Sequence, residues 1–220
     1  MILQDLKMLI KAVVVDRVAI KYTGFLFAFY AALLSPLRAD PRYPDWPCMQ
    51  PKVPELSAAA MWSGPSIADV GNSWQDDTKV REMVEMIAAR RTPLDTAQKA
   101  IADFMTGSPA EKQQKAKQLF AGVFDTLGDQ RREVMEGLER VSRKEMDLAE
   151  KIKSDVANLR ELQDKPDADQ SEIKNLASEI EWSTRVFEDR RKTIRYVCEV
   201  PTTLEQRMFT LARSIQQNLH

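Results

Sequence analysis

The sequence predicts an all-α protein: a small helical bundle extended by a long antiparallel coiled-coil hairpin, with a Pro/Trp-rich N-terminal strap. Three observations carry this. From Ser108 to His220 apolar residues recur in alternating steps of three and four, the spacing of a coiled-coil seam. The stretch Lys165-Pro166-Asp167-Ala168-Asp169 divides that run into two arms. Residues 40–75 hold six prolines and three tryptophans, which rules out a continuous helix there. The rest of the composition agrees: helix formers dominate, and seven glycines and four tyrosines leave little for a sheet.

Residues 1–39 read as a targeting segment. Lys7, Lys11, Arg17 and Lys21 precede the apolar run Tyr22 to Leu34, and Ser35-Pro36-Leu37-Arg38-Ala39 follows, a helix breaker just before a small residue. The run is shorter than the ~20 residues of a membrane-spanning helix. The expectation is a signal peptide cleaved after Ala39 and a periplasmic or secreted protein. An N-terminal membrane anchor is the alternative, because Leu37 is a poor residue three before a cut. Export implies an oxidising compartment, where Cys48 and Cys198, the two cysteines present, form the one available intramolecular disulfide. Two unpaired thiols are the alternative.

Residues 40–75 carry Trp46, Trp62 and Trp74, too many large aromatics for a solvated linker. They read as an extended strap whose aromatics pack on the helices, crossing the hairpin near Leu138 and pinned by Cys48. The other use of such a segment is a partner site, so Trp46, Trp62, Trp74 and the hairpin tip at Asp167 are the candidate partner surface. Residues 76–107 read as two short amphipathic helices. Val80, Met83, Val84 and Ile87 line one; Thr92-Pro93-Leu94-Asp95 caps the next, and Gly107 ends it. Packed on the open end of the hairpin, around Phe120, Phe124, Met208 and Leu211, they complete a four-helix bundle.

Residues 108–220 form the hairpin itself. Ser108-Pro109-Ala110-Glu111 is a capping box with proline at the first helical position, and Asp169 with Glu172 starts the return arm. Folding the arms together pairs Leu159 with Leu176, Leu148 with Phe187 and Phe120 with Ile215. Two of the charged misfits, Glu145 and Arg190, then meet within the apolar seam, which Arg131 also interrupts. Such a pair specifies register more than it adds stability; in the alternative both side chains reach out to water. A kink is expected near Pro201, with a restart at Thr202-Thr203-Leu204-Glu205.

The chemistry of the sequence is sparse. A net charge of −1, with acids and bases interleaved, does not suit a nucleic-acid binder. There is no CxxC, no GxGxxG, no P-loop and no GxSxG, and the one histidine is the last residue, His220. No cofactor or metal site is expected. Acid pairs such as Asp76-Asp77 sit among Lys and Arg and read as solvated faces. The basic cluster Arg190, Arg191, Lys192 and Arg195 reads as a salt-bridged surface facing Glu188, Asp189, Glu136 and Glu139, and the methionines read as core. The expectation is a non-enzymatic scaffold or assembly component of an envelope complex, making protein–protein contact and touching membrane only through an uncleaved N-terminus. The alternatives are a periplasmic holdase-type chaperone gripping unfolded clients between helical arms and an enzyme using Asp and Glu alone.

Overall fold

The computed structural model describes residues 41–219. The chain divides into two units, Met1–Pro44 and Asp45–His220, and of the first only residues 41–44 are described. The readings of residues 1–39 and of His220 therefore lie outside the described residues.

In the second unit every regular element among the described residues is helical: α1 (Ala58–Met61), a 3-10 turn (Ser73–Gln75), α2 (Thr78–Ala88), α3 (Leu94–Phe104), α4 (Pro109–Gln163), α5 (Gln170–Val197) and α6 (Glu199–Gln217). The fold is all-α. Local chemistry sets the starts. Asp77 Oδ1 accepts from the Lys79 amide at 2.9 Å to begin α2. Ser108 and Glu111 form the capping box of α4, and Asp169 accepts from the Ser171 amide at 2.8 Å to begin α5. Each cap satisfies a backbone donor that has no partner inside its helix.

Thr92 departs from expectation. Its hydroxyl donates to Met86 O at 2.7 Å, so it closes the end of α2, and Pro93 stands at the N-cap of α3 without a side-chain cap. At the other end of α3, Lys115 Nζ donates to the carbonyls of Phe104 (3.1 Å) and Thr106 (2.7 Å), a cation on the negative end of the helix dipole.

The body is a ring of four helices: α2 packs on α4, α4 on α6, α6 on α3 and α3 on α2. Each contributes one apolar stripe. Val80, Val84 and Ile87 of α2, Ile101 of α3, Phe120 and Leu127 of α4, and Met208, Leu211 and Ile215 of α6 have lost essentially all solvent contact. At about 1.5–3 kcal/mol per large apolar side chain, this core dominates the stability of the unit. Gly122 lets α2 and the 3-10 turn approach α4: a Cβ there would stand 2.6 Å from Val84 Cγ2 and 2.9 Å from the Trp74 ring.

Beyond Leu138 the only buried residue of α4 is Glu145, and α5 has none. The hairpin leaves the body as a two-helix arm, with α4 alone, at 55 residues, about 80 Å long. The break expected near Pro201 falls at Cys198. Cys198 ends α5 and opens α6, which places Pro201 in the first turn of α6, where a missing N–H costs no helical hydrogen bond. Thr203 does not restart the helix; its hydroxyl donates to Glu199 O within α6.

Candidate docking surface

The strap closes one flank of the arm's base. Cys48 and Cys198 form a disulfide with 5.6 Å between Cα atoms, and the Gln50 side-chain amide donates to the Cys198 carbonyl at the helix break. Lys52 pairs with Glu139, and Arg143 with Asp45 at 2.7 Å. Arg131, a misfit in the heptad seam, is buried: it bonds Glu205 at 2.6 Å and donates to the carbonyls of Val53 and Pro54. One guanidinium thus ties the strap to both α4 and α6 through its planar fork of donors.

Two of the tryptophans assigned to the partner surface belong to the core, which corrects that reading. Trp62 stacks on Phe120 with ring centroids 4.4 Å apart, and its indole donates to Pro65 O. Trp74 is buried and donates to Asp125 Oδ2 at 3.0 Å. Trp46 is half-buried and bonded to Gln50 O, and Asp167 is exposed at the hairpin tip. At 1.5 Å per residue the tip lies about 40 Å from the strap's crossing point. The four residues do not form one surface.

Glu145 and Arg190 do meet: Arg190 Nη1 lies 3.2 Å from Glu145 Oε1. The carboxylate is buried while the guanidinium is half exposed, and Glu145 Oε2 has no hydrogen-bond partner among the described residues. Further out, Lys151 bridges Asp155 and Glu179, each at 2.7 Å. Glu136 and Glu139 do not answer the basic cluster as expected. They engage Arg140 (3.8 Å) and Lys52, while Lys192 pairs with Asp189 on its own helix and Arg191 lies over the Phe187 ring.

The Lys151–Glu179 contact identifies the opposite flank. At seven-residue spacing Lys151, Lys144 and Gly137 share one helical position, and Glu179, Val186, Thr193, Val200 and Arg207 share the position that meets it across the antiparallel pair. In the body α2 covers this flank: Arg207, buried on α6, donates to Ile87 O (2.6 Å) and Thr92 O (2.8 Å). Burial lowers its pKa, and the carbonyls at the end of α2 take the place of a counter-ion. Past that point the flank is open. A groove of about 550 Å³ runs between α4 and α5, floored by Val134, Leu138, Val141, Ile194 and Val197, with Glu133, Arg140 and Arg190 at its rim. Val141 is 40% exposed, although it lies in the seam. One position further out on α5 stand Trp182 and Tyr196, two heptads apart and 64% and 79% exposed.

A second cleft, about 450 Å³, lies between the strap and α4. Its Asp125 carboxyl is held above the ordinary aspartate range by burial, with Asp129 adding to the effect and the Trp74 indole opposing it. The fold therefore favours the protonated form, and the stability Asp125 contributes falls as pH rises from the ordinary aspartate range towards its raised value. Arg131 and Arg132 in the same cleft are tied to Glu205 and Asp129, so the cleft is knitted by internal pairs. Among the described residues there is no group of three or more metal-ligating side chains, and no helix is long and apolar enough to cross a membrane.

The seam and the cross-link stand out in the sequence; the open flank does not. Trp182 and Tyr196 occupy an outward helical position off the seam, and in the sequence only their fourteen-residue spacing marks them. Comparison with protein-family models, with curated proteins and with solved structures finds no match to this chain.

Proposed function

We propose that this is a non-enzymatic, exported scaffold or assembly protein that makes protein–protein contact in the cell envelope through its helical arm. The observation that carries this reading is α5: 28 residues long, with no residue buried, yet bearing Trp182 and Tyr196 on its outer face. A two-helix arm half-covers its own seam and gains little more by folding. Large aromatics held in water at a repeated position add a solubility cost, and a partner that buries them offsets it. The Cys48–Cys198 cross-link supports an oxidising compartment. The strap and the buried Trp62 and Trp74 brace the arm.

The test is purification of the full chain from the cells that make it. A scaffold retains one partner at fixed stoichiometry, and the double variant Trp182→Glu, Tyr196→Glu weakens that association at least tenfold while leaving the circular dichroism unchanged. Suppression of aggregation of unrelated unfolded envelope proteins, with no fixed partner, would instead establish the holdase alternative.

A further inference from the structure

Where α2 ends, the open flank of the hairpin loses its covering helix while its apolar floor continues. We infer that the groove beyond it seats one amphipathic helix of a protein partner, with a basic residue beside Glu133 and acidic residues two to three turns on, beside Arg140 and Lys144. This rests on the arm-contact reading and gives that reading a face and a partner chemistry.

Continuity is the first argument. The same helical positions that take α2 in the body, at Arg207, recur at Thr193 and Gly137 in the groove, so a helix laid there extends a packing layer that already exists. Shape is the second. At Gly137 a Cβ would meet nothing closer than Arg140 Nη2 at 3.8 Å. With Thr193 opposite, the groove is shallow enough for a helix backbone to approach. Apolar residues at i, i+3, i+4 and i+7 of the incoming helix would reach Leu138, Val141 and Ile194.

Charge sets the direction. Glu133 and Arg140 share one helical position two turns apart, and Arg140 is only loosely held by Glu136 at 3.8 Å. From Glu133 to Lys144 the flank spans about 16 Å, three turns.

The experiment places photoreactive benzoylphenylalanine at Val141, at Thr193 or, as the distal control, at Asp167, in the full chain within the cells that make it. The expected result is an adduct from Val141 and Thr193 to one protein, mapping to a segment with the apolar stripe and the basic-to-acidic order. Gly137→Trp lowers its yield at least tenfold; Thr193→Lys, tested with the photoprobe at Val141, does the same, with the melting temperature of each variant within error of the parent. No adduct at either groove position, an adduct to another copy of this chain, to many proteins, or to a segment lacking that pattern, overturns the inference. A single-protein adduct confined to Asp167 overturns the groove but leaves the arm-contact reading standing. Absence at all three positions overturns both.

Discussion

Gly122 and Gly128 lie less than two turns apart on α4, and their surroundings are opposite. A Cβ at Gly122 would fall 2.6 Å from Val84 and within 3.0 Å of Trp74, whereas at Gly128 it would meet nothing within 4 Å. Alanine is favoured over glycine inside a helix by about 0.8–1.0 kcal/mol wherever nothing opposes it. Gly128→Ala should therefore raise the unfolding free energy by about 1 kcal/mol. At Gly122 the same gain is opposed by overpacking, which costs about 1–3 kcal/mol in a close-packed core with a stiff β-branched neighbour. Gly122→Ala should lower stability by about 1 kcal/mol. Urea titration of both variants decides it: a gain at Gly122 like that at Gly128 would show that α2 does not press on α4 as closely as Val84 and Trp74 indicate.

At the scale of the elements, the arm poses an asymmetry. Glu145 is buried with one oxygen unbonded, while Arg190 is half exposed. Removing the guanidinium strands a desolvated carboxylate; replacing the carboxylate with an apolar group of similar size removes the burial cost and leaves the arginine free to solvate. Arg190→Ala should lower stability by about 1–2 kcal/mol, less than for a fully buried pair because Arg190 is screened by water. Glu145→Leu should be neutral or stabilising by about 1 kcal/mol, at the expense of register. Denaturant midpoints check the energies, and disulfide trapping between cysteines placed at Val141 and Ile194 checks the register.

That pair was legible in the sequence because a seam of fixed step and a turn of fixed length bring two charged positions together with no freedom left over. The site of the helix break was less so. A proline stops a helix upstream of itself, and in the first turn it marks a start, so Pro201 bounds the break without locating it at Cys198. Arg131 interrupts the apolar seam with no answering residue in the pattern, because its partners include the carbonyls of Val53 and Pro54, and carbonyls carry no residue identity for a pattern to reveal. The open flank leaves no mark in the sequence for a related reason: it is defined by where α2 stops covering the hairpin, a property of packing rather than of any residue type.

Across the Asp45–His220 unit the strap and the α2–α3 layer grip opposite flanks of one hairpin, and they are held by different forces. The α2–α3 layer rests on buried side chains. The strap before Leu56 rests on the disulfide, the carbonyls taken up by Arg131, and ion pairs of the kind worth about 0–1 kcal/mol each near a surface. From Met61 to Trp74 it is anchored again by aromatic burial. The cross-link closes a loop of 150 residues, which chain entropy values at up to about 5 kcal/mol, acting mainly on the unfolded chain. Replacing both cysteines by serine should therefore lower global stability by up to about that amount and free residues 45–56 locally, while the ring of helices stays folded. Limited trypsin digestion at Lys52 reads the local event and far-ultraviolet circular dichroism reads the global one: cleavage after Lys52 should accelerate at least tenfold with the helical signal unchanged at 25 °C. If Lys52 stays protected in the doubly substituted chain, Arg131 and the ion pairs hold the strap unaided. If the helical signal collapses with it, the strap is part of the core rather than a brace laid across it.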